Sequence, residues 1–259
     1  MSIVELNAID LRDALQSRGL SARETMTDYL AQIERLNPAI NAIVSQIDEA
    51  AALAAADRAD ARLKAGDAPP LTGFPLAVKD LADVEGFKTS HGSPLLGKHA
   101  ARRDCILAER LRAAGGLFFG KTNVPEFGFG SHTFNPVHGT TVNPFDHSRS
   151  AGGSSGGAAA ALTARMLPLA DGSDFGGSLR NPASFCGVVG MRPSVGRVPG
   201  ESVLGWTARI GLQGPMARNV TDLGLMLSII AGFDARDPLS FPDDTSVFAG
   251  SLNENLKGT

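Results

Sequence analysis

The sequence predicts an α/β fold, an α/β/α sandwich in which helices cover a mixed central sheet. Short apolar runs at 75–78 and 117–119 alternate with segments of helical apolar spacing at 104–114 and 221–231, the alternation expected of a largely buried sheet. Hydrophobic residues make up 43% of the 259 residues and charged residues 20%, a balance that buries a large core and excludes a disordered chain. Glycine is over-used, at 30 residues against a usual share of roughly 7%. Seventeen of the 30 lie between Gly115 and Gly200. Glycine is spent where a backbone needs positive φ or a close approach, so this region is where chemistry is expected.

The first third reads as helical. Ser21 and Glu24 have capping-box spacing and open an amphipathic run expected to stop at Asn37-Pro38. Residues 49–64 form an Ala-rich run with a solvated outer face, closed by Gly66 at the C′ position. After a Pro/Gly-rich loop, 75–78 reads as a buried strand. Residues 104–114 read as a helix ending at Gly115-Gly116, and 117–119 as the next strand. A Gly/Ala-rich helix over 155–167 suits very close packing, and 167–170 is a short strand. Residues 221–231 read as an apolar helix capped by Thr221 and ended by Gly232. Residues 237–259 read as loop without a closing element, so the chain is expected to stop partway through a larger architecture. The expected division is an N-terminal helical layer over 1–66 and a core over 67–259 that lacks its C-terminal portion.

Charge and cysteine usage narrow the function. The net charge is −3 and no Lys/Arg run exceeds two residues, so a nucleic-acid footprint is absent. No apolar run approaches the roughly 18 residues of a membrane span, and no charged-then-apolar leader follows Met1. With only Cys105 and Cys186, the expected setting is reducing and cytoplasmic. The five histidines, His91, His99, His132, His138 and His147, lack metal-site spacing and read as loop residues, so no metal is expected. Asn219-Val220-Thr221 is a formal glycosylation sequon without meaning in a cytoplasmic protein.

Two short patterns match motifs that their context contradicts. Residues 115–122 fit the phosphate-loop pattern G-x-x-x-x-G-K-T, but Leu117, Phe118 and Phe119 occupy the positions of a flexible loop and read as the strand itself. Gly152-Gly153-Ser154-Ser155-Gly156 fits the nucleophile elbow G-x-S-x-G. That elbow needs a strand before it, and 144–150 reads as polar loop. It also needs a histidine, ordinarily late in the chain, and all five lie upstream of Ser154.

A larger pattern remains. Two Ser/Gly knots, one centred on Ser154 and Ser155 and one on Gly176-Gly177-Ser178, are separated by one helix and one short strand. Such a unit can return both knots to the same end of a sheet. Glycines let successive N–H groups converge on one point, as an oxyanion hole requires. Asp174 and Arg180 flank the second knot and can pair to brace it. On local sequence alone, a pair of structural Gly/Ser turns is an equal alternative.

The stretch 152–193 resembles the amidase signature family, whose hallmark is a GGSSGG block followed by D-x-G-G-S-x-R-x-P. The resemblance extends to Gly73 through Lys79-Asp80, to Lys121-Thr122-Asn123 with Glu126-Phe127, to 185–193 and to 214–218, so that it covers about residues 5–235. It implies a Ser–cis-Ser–Lys triad with Ser178 as nucleophile, Ser154 as bridging serine on a cis peptide bond and Lys79 as base. Ser155, Asp174 and Arg180 would support it. The N–H groups of Phe175, Gly176, Gly177 and Ser178 would form the oxyanion hole. The implied reaction is hydrolysis of a small-molecule carboxylic amide through an acyl-enzyme, with no cofactor, no direct nucleic-acid or membrane partner, and a homodimer or partner subunits as expected associations.

The chemistry of such a triad has its own logic. A serine hydroxyl needs a base, and burial brings a lysine toward neutrality so that it can serve as one. The apolar run Leu76-Ala77-Val78 leading into Lys79 suits that burial. Two departures stand out. Phe175 occupies a position where the family more often has Thr or a branched aliphatic residue. Family members are also usually much longer, so this chain corresponds to the first half to two-thirds of their fold. The family leaves two other roles open: the glutamine-hydrolysing A component of a tRNA-dependent amidotransferase, and a truncated, inactive homologue.

Overall fold

The computed structural model describes residues 2–201, 210–242, 244–250 and 257. Helix α1 (Ala8–Gln16) is followed by α2 (Ala22–Ile40), strand β1 (Ile43–Val44) and α3 (Glu49–Ala65). The capping box at Ser21 and Glu24 forms as expected. The first N–H groups of α2 are also taken by the Asp60 carboxylate of α3. The first N–H groups of α1 are taken by Asp222, more than 200 residues away, at 2.9 and 3.1 Å. Two helix starts are thus satisfied by carboxylates from distant elements.

Helix α2 does not stop at Pro38 but runs through it to Ile40. Proline removes one donor there, close to the end, and the Asn37 side chain restores order by accepting from the N–H groups of Ala42 and Ile43. Helix α3 closes at Gly66 with φ of 77°, as expected, and buries Ala52, Ala56, Ala59 and Leu63.

Strand β2 (Pro75–Lys79) is buried along its whole length. It is joined through α4 (Ile106–Ala113) to β3 (Leu117–Thr122), which pairs with it in parallel. β1 pairs antiparallel on the other edge of β3, so the first 66 residues contribute a strand as well as helices. Two small hairpins follow, β4 (Phe134–Asn135) with β5 (Gly139–Thr140) and β6 (Val142–Asn143) with β7 (Asp146–Ser150). The polar stretch before Ser154 is therefore a short exposed strand rather than loop.

Helix α5 (Gly156–Thr163) ends earlier than the composition suggested, because Arg165 adopts a left-handed conformation with φ of 55°. The next strand, β8 (Ala170–Asp174), correspondingly begins where a strand over 167–170 was expected to end. After α6 (Arg180–Cys186) and β9 (Val189–Gly190), β10 (Leu212–Ala217) pairs antiparallel with both β8 and β9. Helix α7 (Val220–Ile230) is capped by Asn219, not Thr221, since Asn219 accepts the Asp222 N–H at 2.8 Å.

The six longer-range strands form two three-stranded sheets, β1-β3-β2 and β8-β10-β9, whose edge strands β2 and β8 lie side by side. Helix α5 packs against strands of both sheets, with α6 behind it, while α2, α3 and α7 pack on β2, β3 and β10. One hydrophobic core runs through all of these layers. The helix can lie this close because it has almost no side chains. A Cβ on Gly157 would come within 2.3 Å of the Asn123 nitrogen and 2.8 Å of the Ala42 oxygen, both main-chain atoms that cannot yield. The approach places the N-terminus of α5, with Ser154 and Ser155, beside the C-terminal ends of β2 and β8.

We therefore expect Gly157→Ala to lower the unfolding free energy by about 1–3 kcal/mol through overpacking. Urea denaturation should show a lower midpoint at an unchanged slope.

Candidate active site

Lys79 ends β2 and is only 1% exposed. Its Nζ lies 2.7 Å from Ser154 Oγ, 2.8 Å from Ser155 Oγ and 2.8 Å from Ser173 Oγ. Burial pulls its pKa down to about 7 against the upward pull of the Asp171 and Asp174 carboxylates. Near neutral pH the nitrogen is thus available with a lone pair, and it can then donate two protons and accept one.

The neighbouring hydroxyls differ in what they can offer. Ser155 Oγ donates to the Ser173 carbonyl at 3.3 Å and accepts the Ser173 N–H at 3.2 Å, so its proton is already engaged. Ser154 and Ser173 are left as the hydroxyls that can give a proton to Nζ. Ser154 follows a cis peptide bond from Gly153 and is 2% exposed.

Ser178 lies just after the turn that leaves β8. Its carbonyl accepts the Ser155 N–H at 3.2 Å, which ties the two Ser/Gly knots together. Its residue is half-buried, and its hydroxyl makes no hydrogen bond to another described residue. The turn itself is held by Asp174. That carboxylate accepts the N–H groups of Gly177 at 2.8 Å and Leu179 at 3.1 Å, and Arg180 pairs with it through two bonds of 3.0 and 3.1 Å. Arg192 donates to its carboxylate at 3.3 Å and to its main-chain carbonyl. Burial alone would raise the Asp174 pKa, but these donors, Arg180 foremost, hold it well below the usual carboxylate range.

Of the four N–H groups expected to face an oxyanion, Gly177 already gives its own to Asp174. Those of Phe175, Gly176 and Ser178 make no hydrogen bond to other described residues. A Cβ on Gly176 would meet nothing within 4 Å, so this side of the turn is open. Phe175 is 66% exposed and lines a cleft of about 540 Å³ with Leu81, Ile106 and Leu212.

The structure brings Lys79, Ser154 and Ser155 into one hydrogen-bonded cluster and sets Asp174 and Arg180 under the turn that carries Ser178. Sequence reasoning missed Ser173 and Asp171. The signal for both was their two-residue spacing, which puts them on one face of β8. Asp171 Oδ1 accepts the Lys79 main-chain N–H at 3.0 Å. The two discounted motifs stay discounted. Lys121 is fully buried in β3 and bonds the Ala82 carbonyl and Thr89 Oγ1, not a phosphate loop. His132 and His138 bond Ser150 and Ser90 rather than either candidate serine. Among the described residues no group of three or more His, Cys, Asp or Glu is placed to hold a metal, and no helix is long and apolar enough to cross a membrane.

An α/β domain that buries a lysine among serines, beside a Gly-rich turn with open N–H groups, places a potential base, hydroxyl groups and oxyanion donors close together. Comparison with known proteins gives the family. The chain belongs to the amidase signature family, matching the model described as Amidase over residues 24–258. It is 42% identical to the A component of the glutamyl-tRNA(Gln) amidotransferase of Nitrosococcus oceani over 249 residues, 96% of this chain and 51% of that protein. A bacterial aryl acylamidase of the amidase signature family superposes with a TM-score of 0.87 at 33% identity, over 92% of this chain and 50% of the other. The peptide amidase of Stenotrophomonas maltophilia does so with a TM-score of 0.83 at 33% identity, over 91% and 50%. The chain spans about half the length of the relatives it matches.

Burial of Lys79 has a stability signature. Its folded pKa of about 7 lies below the ordinary 10.5, so between these values the unfolded chain holds a proton that the native chain has released. Stability should therefore rise with pH across that window and level off outside it. Lys79→Met should lack the rise, which denaturant titrations at a series of pH values would read directly.

Proposed function

We propose that this chain carries the hydrolytic centre of an amidase, with Ser178 as nucleophile, Ser154 as proton relay and Lys79 as base. The reading rests on one observation: a lysine shielded from water and poised to be neutral, 2.7 Å from a serine hydroxyl.

In this reading Ser178 Oγ attacks the amide carbonyl carbon. Its proton passes to Ser154, whose own proton passes to Lys79. The carbonyl oxygen becomes an oxyanion facing the N–H groups of Phe175, Gly176 and Ser178. As the C–N bond breaks, Lys79 returns the proton through Ser154 to the leaving nitrogen, which departs as ammonia or an amine. Water then adds to the Ser178 ester, giving one proton to the same relay. The C–O bond breaks, Ser178 regains its proton, and the carboxylic acid leaves. The protons are carried by Ser178, Ser154 and Lys79, with those of the product acid and amine supplied in net by the attacking water. Ser155 and Ser173 hold the lysine, while Asp174 with Arg180 and Arg192 holds the turn.

The substrate is a small carboxylic amide, and the setting is cytoplasmic, consistent with the free thiols of Cys105 and Cys186. A second reading is favoured by the relatives that are A components of glutamyl-tRNA(Gln) amidotransferases: a glutamine-hydrolysing chain that works with partner subunits. Glutaminase activity that requires a co-purifying partner would select it over a free-standing amidase.

A fluorophosphonate probe on the full chain tests the assignment. We expect a single adduct that maps to Ser178, none in Ser178→Ala, and a labelling rate lowered by about 10²–10⁴-fold in Lys79→Ala. An adduct on Ser154 would overturn the division of roles. Absence of any serine adduct would overturn the hydrolytic reading in favour of an inactive homologue.

A further inference from the structure

Asp171 is a buried carboxylate that the proton relay does not use. It is 2% exposed and lies on β8 two residues before Ser173, on the same face. It faces Lys79 twice over, through a 3.0 Å bond from the Lys79 main-chain N–H and through its charge on the ammonium. This bond crosses between the two sheets where β2 and β8 lie side by side. Opposite Asp171 in the β8–β10 ladder stands Pro215, which has no N–H to offer.

The charged surroundings are few. Lys121 of β3, itself fully buried, also acts on Asp171, and the Cys105 thiol at the head of α4 is pushed up partly by it. β10 and α5 carry no ionisable side chain. Asp174 also faces Lys79 but is neutralised by Arg180 and Arg192. Asp80, next to Lys79 in sequence, faces Lys121 and accepts from Ser90, with His138 beyond. Of the two carboxylates whose charge acts on Lys79, Asp171 and Asp174, Asp171 is therefore the one not paired with an arginine. Burial raises its pKa to about 6, while the Lys79 N–H and the charges of Lys79 and Lys121 pull it down.

We propose that Asp171 is a positioning residue for Lys79: its carboxylate tethers the end of β2 through the main chain, and its negative charge sets the pH at which Lys79 releases its proton. The inference rests on the reading of Lys79 as base. The two effects are separable, because an amide oxygen keeps the tether and loses the charge. Without the negative charge the ammonium is less favoured, so Lys79 deprotonates at lower pH.

The test is the pH dependence of fluorophosphonate labelling of Ser178 in the full chain. The unsubstituted protein should show a rising limb centred near pH 7. In Asp171→Asn the limb should move by about one pH unit toward acid with the plateau largely kept. In Asp171→Ala, where the N–H loses its acceptor, the plateau should fall by about tenfold or more. An Asn variant with an unmoved limb overturns the proposal, provided that Ser178→Ala and Lys79→Ala abolish or cripple labelling. If either of those labels normally, it is the base or nucleophile assignment that fails. Should the variants not fold, the unsubstituted chain suffices: the Lys79 amide proton should shift in NMR spectra as the pH is taken through 6, following the carboxylate. An amide resonance that stays fixed through that titration overturns the tether.

Discussion

The structure is organised around the removal of one amino group from water. A buried ammonium is expensive in a low-dielectric interior, so the interior favours the neutral amine and must supply polar partners for it. Three serine hydroxyls do so for Lys79, each within 2.8 Å. They come from two separate segments, the start of α5 and the end of β8. Bringing both to the end of β2 requires a helix able to lie across two sheets at main-chain contact distance. The Gly-Gly-Ala-Ala-Ala-Ala sequence of α5 follows from that requirement more than from helix propensity, since glycine costs a helix about 1 kcal/mol relative to alanine.

Carboxylates around the lysine are handled in two different ways. Asp174 is surrounded by two arginines and two main-chain N–H groups, which turn it into a fixed brace for the loop bearing Ser178. Asp171 has no such escort and is left facing the lysine and Lys121 in the interior. The same residue type thus anchors a loop in one place and modulates charge in the other. The difference lies entirely in which cations reach it.

Much of this was legible beforehand. The helices starting at Ser21 and ending at Gly66, the strands beginning at 75 and 117, and the α/β class follow from local capping and apolar periodicity. The family resemblance named Lys79, Ser154 and Ser178 from motifs alone. Boundaries failed where the particular path of the backbone and its nearby hydrogen bonds decide them. Asn37 carries α2 past Pro38, and the left-handed Arg165 ends α5 early. The polar 146–150 segment pairs as a strand because β6 offers it a partner.

Local elements and family membership were readable from the chain alone, because caps, apolar spacing and motif order are written within a few residues of one another. The division of the strands into two sheets with β2 beside β8 came from long-range packing. The tertiary structure likewise brought Ser173 and Asp171 to Lys79 and committed the Gly177 N–H to Asp174. Those contacts join residues far apart in the chain or depend on the detailed path of a turn, and no local propensity encodes which buried donor meets which acceptor.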